Sequence, residues 1–162
     1  MDETSREPHP AVKRVVADAA EKGVKVKIVH TEKTARSAEE AAKALSVSVG
    51  EIVKSLVFEG KESGKPYLLL VSGDNRVDEA VVGGILGEAL QRPDAAFVRE
   101  ATGFAIGGVS PFGSTGKITT YMDEDLFRFA SVWAAAGTPN DVFEAVPLQL
   151  RSATGARLGP VK

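Results

Sequence analysis

A chain of 162 residues with 43% hydrophobic and 26% charged side chains has apolar surface enough for one globular core. Its formal net charge of −2 gives no broad polycationic field, so tight, sequence-indifferent binding to long nucleic acid is not expected, nor is DNA as a partner, while a local basic patch stays open. The absence of cysteine and the presence of only two histidines, His9 and His30, remove disulfides, thiolate nucleophiles and the common zinc sites, so no metal and no cofactor is expected.

The first residues, MDETSREPHP, are polar, and no run of about 18 apolar residues occurs, so a cytoplasmic protein with no membrane partner is expected. Residues 1–8 read as a flexible N-terminus, 9–155 as one domain and 156–162 as a flexible C-terminus.

Apolar positions 11, 12, 15, 16, 19 and 20 have helical spacing after Pro10, which predicts a helix over 9–22 ended by Gly23. The alternation in VKVKIVH predicts a strand over 24–30. Ser37 and Glu40 form a capping box before a short helix, AEEAAKAL, and Ser48 with Glu51 repeat the pattern over a single turn. EIVKSLVF and YLLLVS then read as a hairpin, with YLLLV central because it lacks alternation.

Asp78 caps a helix expected over 79–90, AAFV (95–98) reads as a strand, and 99–106 as a turn of helix. Strands are expected over 117–122, 127–135 and 141–146, with Trp133 in the core and a last helix opened by Pro147. Hairpin-length links and interleaved short helices indicate an α+β fold, with a mixed, mostly antiparallel sheet and helices around it.

Two features ask for more than a structural account. In an extended EIVKSLVF, Lys54 falls on the apolar face with Ile52, Leu56 and Phe58, where a lysine either snorkels from an edge or meets a cavity. Facing a cavity, it could hold a phosphate, polarise a carbonyl or act as a base. The second feature is GGVSPFGSTGK (107–117). It is no Walker loop, because Pro111 and Ile118 stand where glycine and Ser or Thr are required, and no dinucleotide fingerprint is present. Gly107 and Gly108 with Pro111 make either a plain turn or a loop that aims backbone N–H groups at an oxyanion. His30 reads as a surface or capping residue, and Asp74, Asn75 and Arg76 as turn residues.

In order and spacing, EIVKSLVF, YLLLVSGDNRVD, GFAIGGVSPFG and AGTPNDVFE resemble the YbaK/ProX family of free-standing aminoacyl-tRNA deacylases, relatives of the editing domain of bacterial prolyl-tRNA synthetases, over roughly residues 25–155. The resemblance implies metal-free hydrolysis of the ester that joins a wrong amino acid to the 3′ adenosine of a tRNA, usually tRNA(Pro). It implies an essential lysine at Lys54, a substrate-facing loop of Gly107, Gly108, Val109, Ser110 and Pro111, with Gly107 in the catalytic role, and a later glycine turn at Gly137 and Thr138. His30 and Thr34 join Ser110 as expected pocket lining. The implied partners are the aminoacyl-tRNA acceptor end and an aminoacyl-tRNA synthetase, with Lys61, Lys65 and Arg76 on the loops best placed to help. A non-catalytic module that grips the acceptor end or docks on a synthetase is the competing expectation. The residue removed is left open, since GTPN and the serine after Lys54 depart from patterns found in other members.

Overall fold

The computed structural model describes residues 8–162, so the expected flexible N-terminus, 1–8, lies outside it but for Pro8. Helix α1 (Pro10–Glu21) starts with proline in its first turn and with His9 Nδ1 accepting from Ala11 N at 3.0 Å. Ala11, Val12, Val15 and Ala19 give it one buried face. Strand β1 (Ile28–His30) is shorter than the alternation predicted, and helix α2 (Ala38–Leu45) is capped by Ser37, whose Oγ accepts from Glu40 N at 3.1 Å. Glu40 reaches back one residue further than expected, to Arg36 N at 2.7 Å. The Ser48–Glu51 box does form, over a 3-10 turn at Val49–Glu51.

Strands β2 (Val53–Gly60) and β3 (Pro66–Ser72) make the expected hairpin, with Lys54 opposite Val71 and Phe58 opposite Tyr67. Next come α3 (Glu79–Leu86), β4 (Leu90–Gln91), α4 (Ala95–Thr102), β5 (Thr119–Asp123), a 3-10 turn (Glu124–Arg128), β6 (Val132–Thr138), β7 (Asp141–Ala145), α5 (Pro147–Thr154) and β8 (Arg157–Gly159). They form a three-stranded antiparallel sheet, β1-β7-β6, and a mixed five-stranded sheet, β4-β2-β3-β5-β8, in which β3 runs parallel to β5 and β5 to β8. A bridge between Ile52 and Trp133 joins the two sheets. This is the single α+β domain expected, its pairings mostly antiparallel.

Leu68 to Val71 are fully buried because both faces of the large sheet are covered. Leu68 and Leu70 pack with Phe104, Phe112 and Phe143 toward α1 and the small sheet, while Leu69 and Val71 pack with Phe58, Tyr121 and Val82 of α3 on the other side.

Four expectations are corrected. Residues 95–98 are helical, because Asp94 accepts from Phe97 N at 2.8 Å and thereby opens α4, which Gly103 ends at φ 76°. The strand expected over 127–135 begins only at Val132, because Asp123 caps a 3-10 turn through Asp125 N. The helix expected over 79–90 stops at Leu86, where Gly87 turns left-handed at φ 97°. The C-terminus, expected loose from 156, is instead held: β8 pairs with β5, Val161 is buried and its carbonyl accepts from Asp78 N at 2.6 Å.

Glu88 latches the β2–β3 hairpin loop. Its carboxylate accepts from Ser63 Oγ and Tyr67 OH, both at 2.6 Å, and from the amides of Ser63 and Glu62. The Ser63 and Tyr67 hydroxyls pull this carboxyl down to about 2. The folded value lies below the unfolded one of about 4.3, so the latch is fully present above that pH and is lost as pH falls toward the folded value. Glu88→Gln should lower Tm at neutral pH, and the gap from the parent in thermal melts should close on acidification through that window.

Candidate active site

The two sheets part beyond the Ile52–Trp133 bridge, and a cleft of about 460 Å³ opens between β2 and β6. Val53 to Phe58 form one wall, and Trp133, Ala134 and Ala135 the other. Helix α2 covers one side through Ala38, Ala41 and Leu45, and Ile106, Gly107 and Pro139 form the lip.

Lys54 is half-buried in this wall. Its ammonium donates to the carbonyl of Asn75, which leaves two of its three N–H groups for a ligand. Burial pushes the Lys54 ammonium below its ordinary value, against the opposing pull of the Glu39, Asp74 and Asp123 carboxylates, and Arg76 adds to the lowering. The anchor itself is built firmly. Asn75 is buried, its Nδ2 donates to Asp123 at 2.8 Å and Asp125 at 2.7 Å, and its Oδ1 accepts from Lys162 at 2.9 Å. Beside it Asp74 accepts from Arg128 at 2.9 Å, and that contact leads the causes holding the Asp74 carboxyl below its usual range.

The glycine loop has a local explanation. Gly108 N donates to Ala105 O at 3.0 Å, closing a four-residue turn whose third residue, Gly107, stands at φ 96°. A positive φ at that position is the type II pattern, which only glycine adopts without strain. Ile106 at the tip is 64% exposed. Gly108 is glycine for another reason: a Cβ there would stand 2.5 Å from Gly137 O and 3.0 Å from Thr138 Cα. The loop and the end of β6 therefore meet backbone to backbone. Gly137, at φ 101°, in turn lets α1 approach, since its Cβ would lie 2.9 Å from the backbone of Ala11.

Of the residues expected at the site, Lys54, Gly107, Val109 and Thr138 line this cleft. Gly108 and Gly137 stand behind its lip, and Ser110 and Pro111 are buried, with Ser110 Oγ accepting from Phe112 N at 3.3 Å. His30 and Thr34 lie elsewhere. His30 is 2.8 Å from Asp141 and lines a separate hollow beside α1, while the Thr34 hydroxyl donates to Asn140 at 3.1 Å. Lys61 and Lys65 sit on the exposed hairpin loop, outside the cleft lining. Sequence reasoning missed Arg36 and Arg92, which do line it, and it placed Trp133 in the core, whereas that residue is half-buried on the cleft wall. It also missed Ser55, whose Oγ is buried without a hydrogen-bond partner among the described residues.

Fold and cleft together define an α+β domain with a cleft between two sheets that is lined by one lysine and one glycine turn. The chain belongs to the aminoacyl-tRNA editing domain family, whose profile matches residues 32–153. A solved structure described as a candidate trans-editing enzyme for prolyl-tRNA synthetase superposes with a TM-score of 0.89 at 43% identity, over 96% of this chain and 99% of that one. The uncharacterized Bacillus subtilis protein YwhH is 33% identical over 76% of this chain and 78% of its own length. The proline–tRNA ligase of Desulfitobacterium hafniense is 31% identical over 69% of this chain, which spans 20% of that enzyme. No helix among the described residues is long and apolar enough to cross a membrane.

Proposed function

We propose that the chain is a trans-editing hydrolase that cleaves the ester between a wrong small amino acid and the 3′ end of tRNA, with tRNA(Pro) as the carrier. The observation that carries this reading is that Lys54 and Gly107, distant in sequence, line one cleft. Water attacks the ester carbonyl carbon, and the carbonyl pair moves onto oxygen. Collapse of that intermediate breaks the bond to the ribose oxygen, which leaves with the pair and gains the proton given up by water.

Gly107 N–H makes no hydrogen bond among the described residues and is the donor assigned to the oxyanion, whereas Gly108 N–H is engaged by Ala105. The Lys54 ammonium supplies fixed positive charge in a partly desolvated wall, for the ester carbonyl or the terminal phosphate. Val109 and Thr138 bound the space for the amino acid, and Gly108, Ser110, Pro111 and Gly137 hold that boundary from behind. A synthetase that presents its mischarged tRNA is the partner implied by the kinship with proline–tRNA ligases.

The test is amino-acid release from tRNA(Pro) charged in turn with alanine, serine, cysteine and proline. Faster release of at least one wrong residue, with prolyl-tRNA spared, is the expected result. Binding of all four with no release faster than in buffer overturns the hydrolase and leaves an acceptor-end binding module. The working form of Lys54 is the ammonium, so enzyme-dependent release, corrected for spontaneous hydrolysis, should fall on the alkaline side, starting below the ordinary lysine value of about 10.4. A rate that climbs through that range would make Lys54 a base instead.

A further inference from the structure

The outer edge of β2 is open where it borders the cleft. At the hairpin end Gly60 N donates to Lys65 O, so in the antiparallel alternation the residues bonded to β3 are Phe58, Leu56 and Lys54. Val57 and Ser55 therefore turn their N–H and C=O groups to the opposite edge. The same alternation places Glu59 and Lys61 toward β4, where Glu59 pairs with Gln91 and Lys61 N donates to Ala89 O. Strand β4 ends there, and on the other side only Ile52 bridges to β6. Between those two points the backbone of Ser55 and Val57 makes no hydrogen bond outside the β2–β3 hairpin among the described residues. The buried Ser55 Oγ beside it is likewise without a partner. Unpaired polar groups in a half-buried wall are costly unless a ligand or water satisfies them.

On a strand edge the C=O of one residue and the N–H of the second residue after it lie side by side. This acceptor–donor pair complements a ring that carries an exocyclic amine next to an unprotonated ring nitrogen. Adenine N6 and N1 have that arrangement, and hypoxanthine reverses both partners. The 3′ end of tRNA on which the proposed ester is carried is an adenosine. We infer that the open edge of β2 reads the terminal base: Ser55 C=O accepts from adenine N6 and Val57 N–H donates to N1. This rests on the editing reading for its choice of nucleoside, and it assigns Ser55 and Val57 a base-specificity role through their backbone, separate from the ester chemistry at Lys54 and Gly107.

The probe is a stable amide, 3′-alanylamino-3′-deoxyadenosine, compared with its 1-deazaadenine, 7-deazaadenine and hypoxanthine counterparts by calorimetry and by amide resonances of the full chain. Removing the N1 acceptor should weaken binding about five- to tenfold, the scale of one hydrogen bond. Hypoxanthine should weaken it about ten- to a hundredfold, the scale of a mismatched two-point contact. The 7-deaza compound should bind like the parent. The Val57 amide proton should move downfield with the adenine ligand and stay in place with 1-deazaadenine. Equal binding of all four bases, loss with 7-deazaadenine alone, no binding of the adenine compound, or a Val57 resonance indifferent to N1 would each overturn the inference. The two readings fail separately: base discrimination without ester hydrolysis removes the enzyme and keeps the base site, and hydrolysis without base discrimination does the reverse.

Discussion

Lys54→Ala should cut amino-acid release by about 10²–10³-fold, the range found when one preorganised donor is removed from a site of developing negative charge. The fold should survive. The ammonium is half-buried and its protonated form is disfavoured by that burial, so its loss removes a desolvation cost together with one hydrogen bond to Asn75. A thermal melt should therefore shift little while steady-state release collapses. Lys54→Arg separates charge from shape. The guanidinium keeps the charge but is a planar fork, and it must fit where a compact ammonium now meets a single carbonyl. Release should stay far below the parent, with tRNA binding closer to it. Full activity in Lys54→Ala would end the proposed mechanism.

Gly108→Ala is the second large effect. The added Cβ would stand 2.5 Å from the Gly137 oxygen, 2.8 Å from its carbon and 3.0 Å from Thr138 Cα. All three are backbone atoms, so no side chain can swing away. Relief requires the 105–108 turn and the end of β6 to separate, at a cost of about 1–3 kcal/mol of stability by denaturant titration. Separation also displaces Gly107, and displacement of about 1 Å at a reacting centre costs on the order of a hundredfold in kcat/KM. Gly107→Ala makes the contrast. Only Pro139 Cγ lies near, at 3.6 Å, so the penalty there is the left-handed backbone, about 1–2 kcal/mol, with no wedge between the two loops.

Local chemistry explains which parts of this molecule could be read from residues alone. Pro10, Ser37, Ser48 and Asp78 announce helix starts through side chains that act within three residues of their own position, and each stands at the head of the element it predicts. Lys54 stood out because charge on an apolar alternation needs a reason. Of the misread segments only the C-terminus was set by pairings far away in the chain; the others were set by caps close by, at Asp94, Asp123 and Gly87. β8 depends on β5, and the ordered C-terminus depends on Asp78 and Asn75. AAFV has the composition of a strand, yet Asp94 immediately before it was a capping signal that could have found α4. Trp133 and Ser55 carried no such mark. A tryptophan looks alike in a core and on a cleft wall, and a serine next to a lysine shows its missing partner only once the sheets are seen to part.

The contact of Gly108 with Gly137 also bears on how selection operates. Two main chains pressed together leave no slack to tighten around a guest, so on the proposed reading the aperture has one size before any tRNA arrives. An oversized residue is turned away at the threshold by shape, and bursts or lags from a slow closing step should be missing from the time course of release.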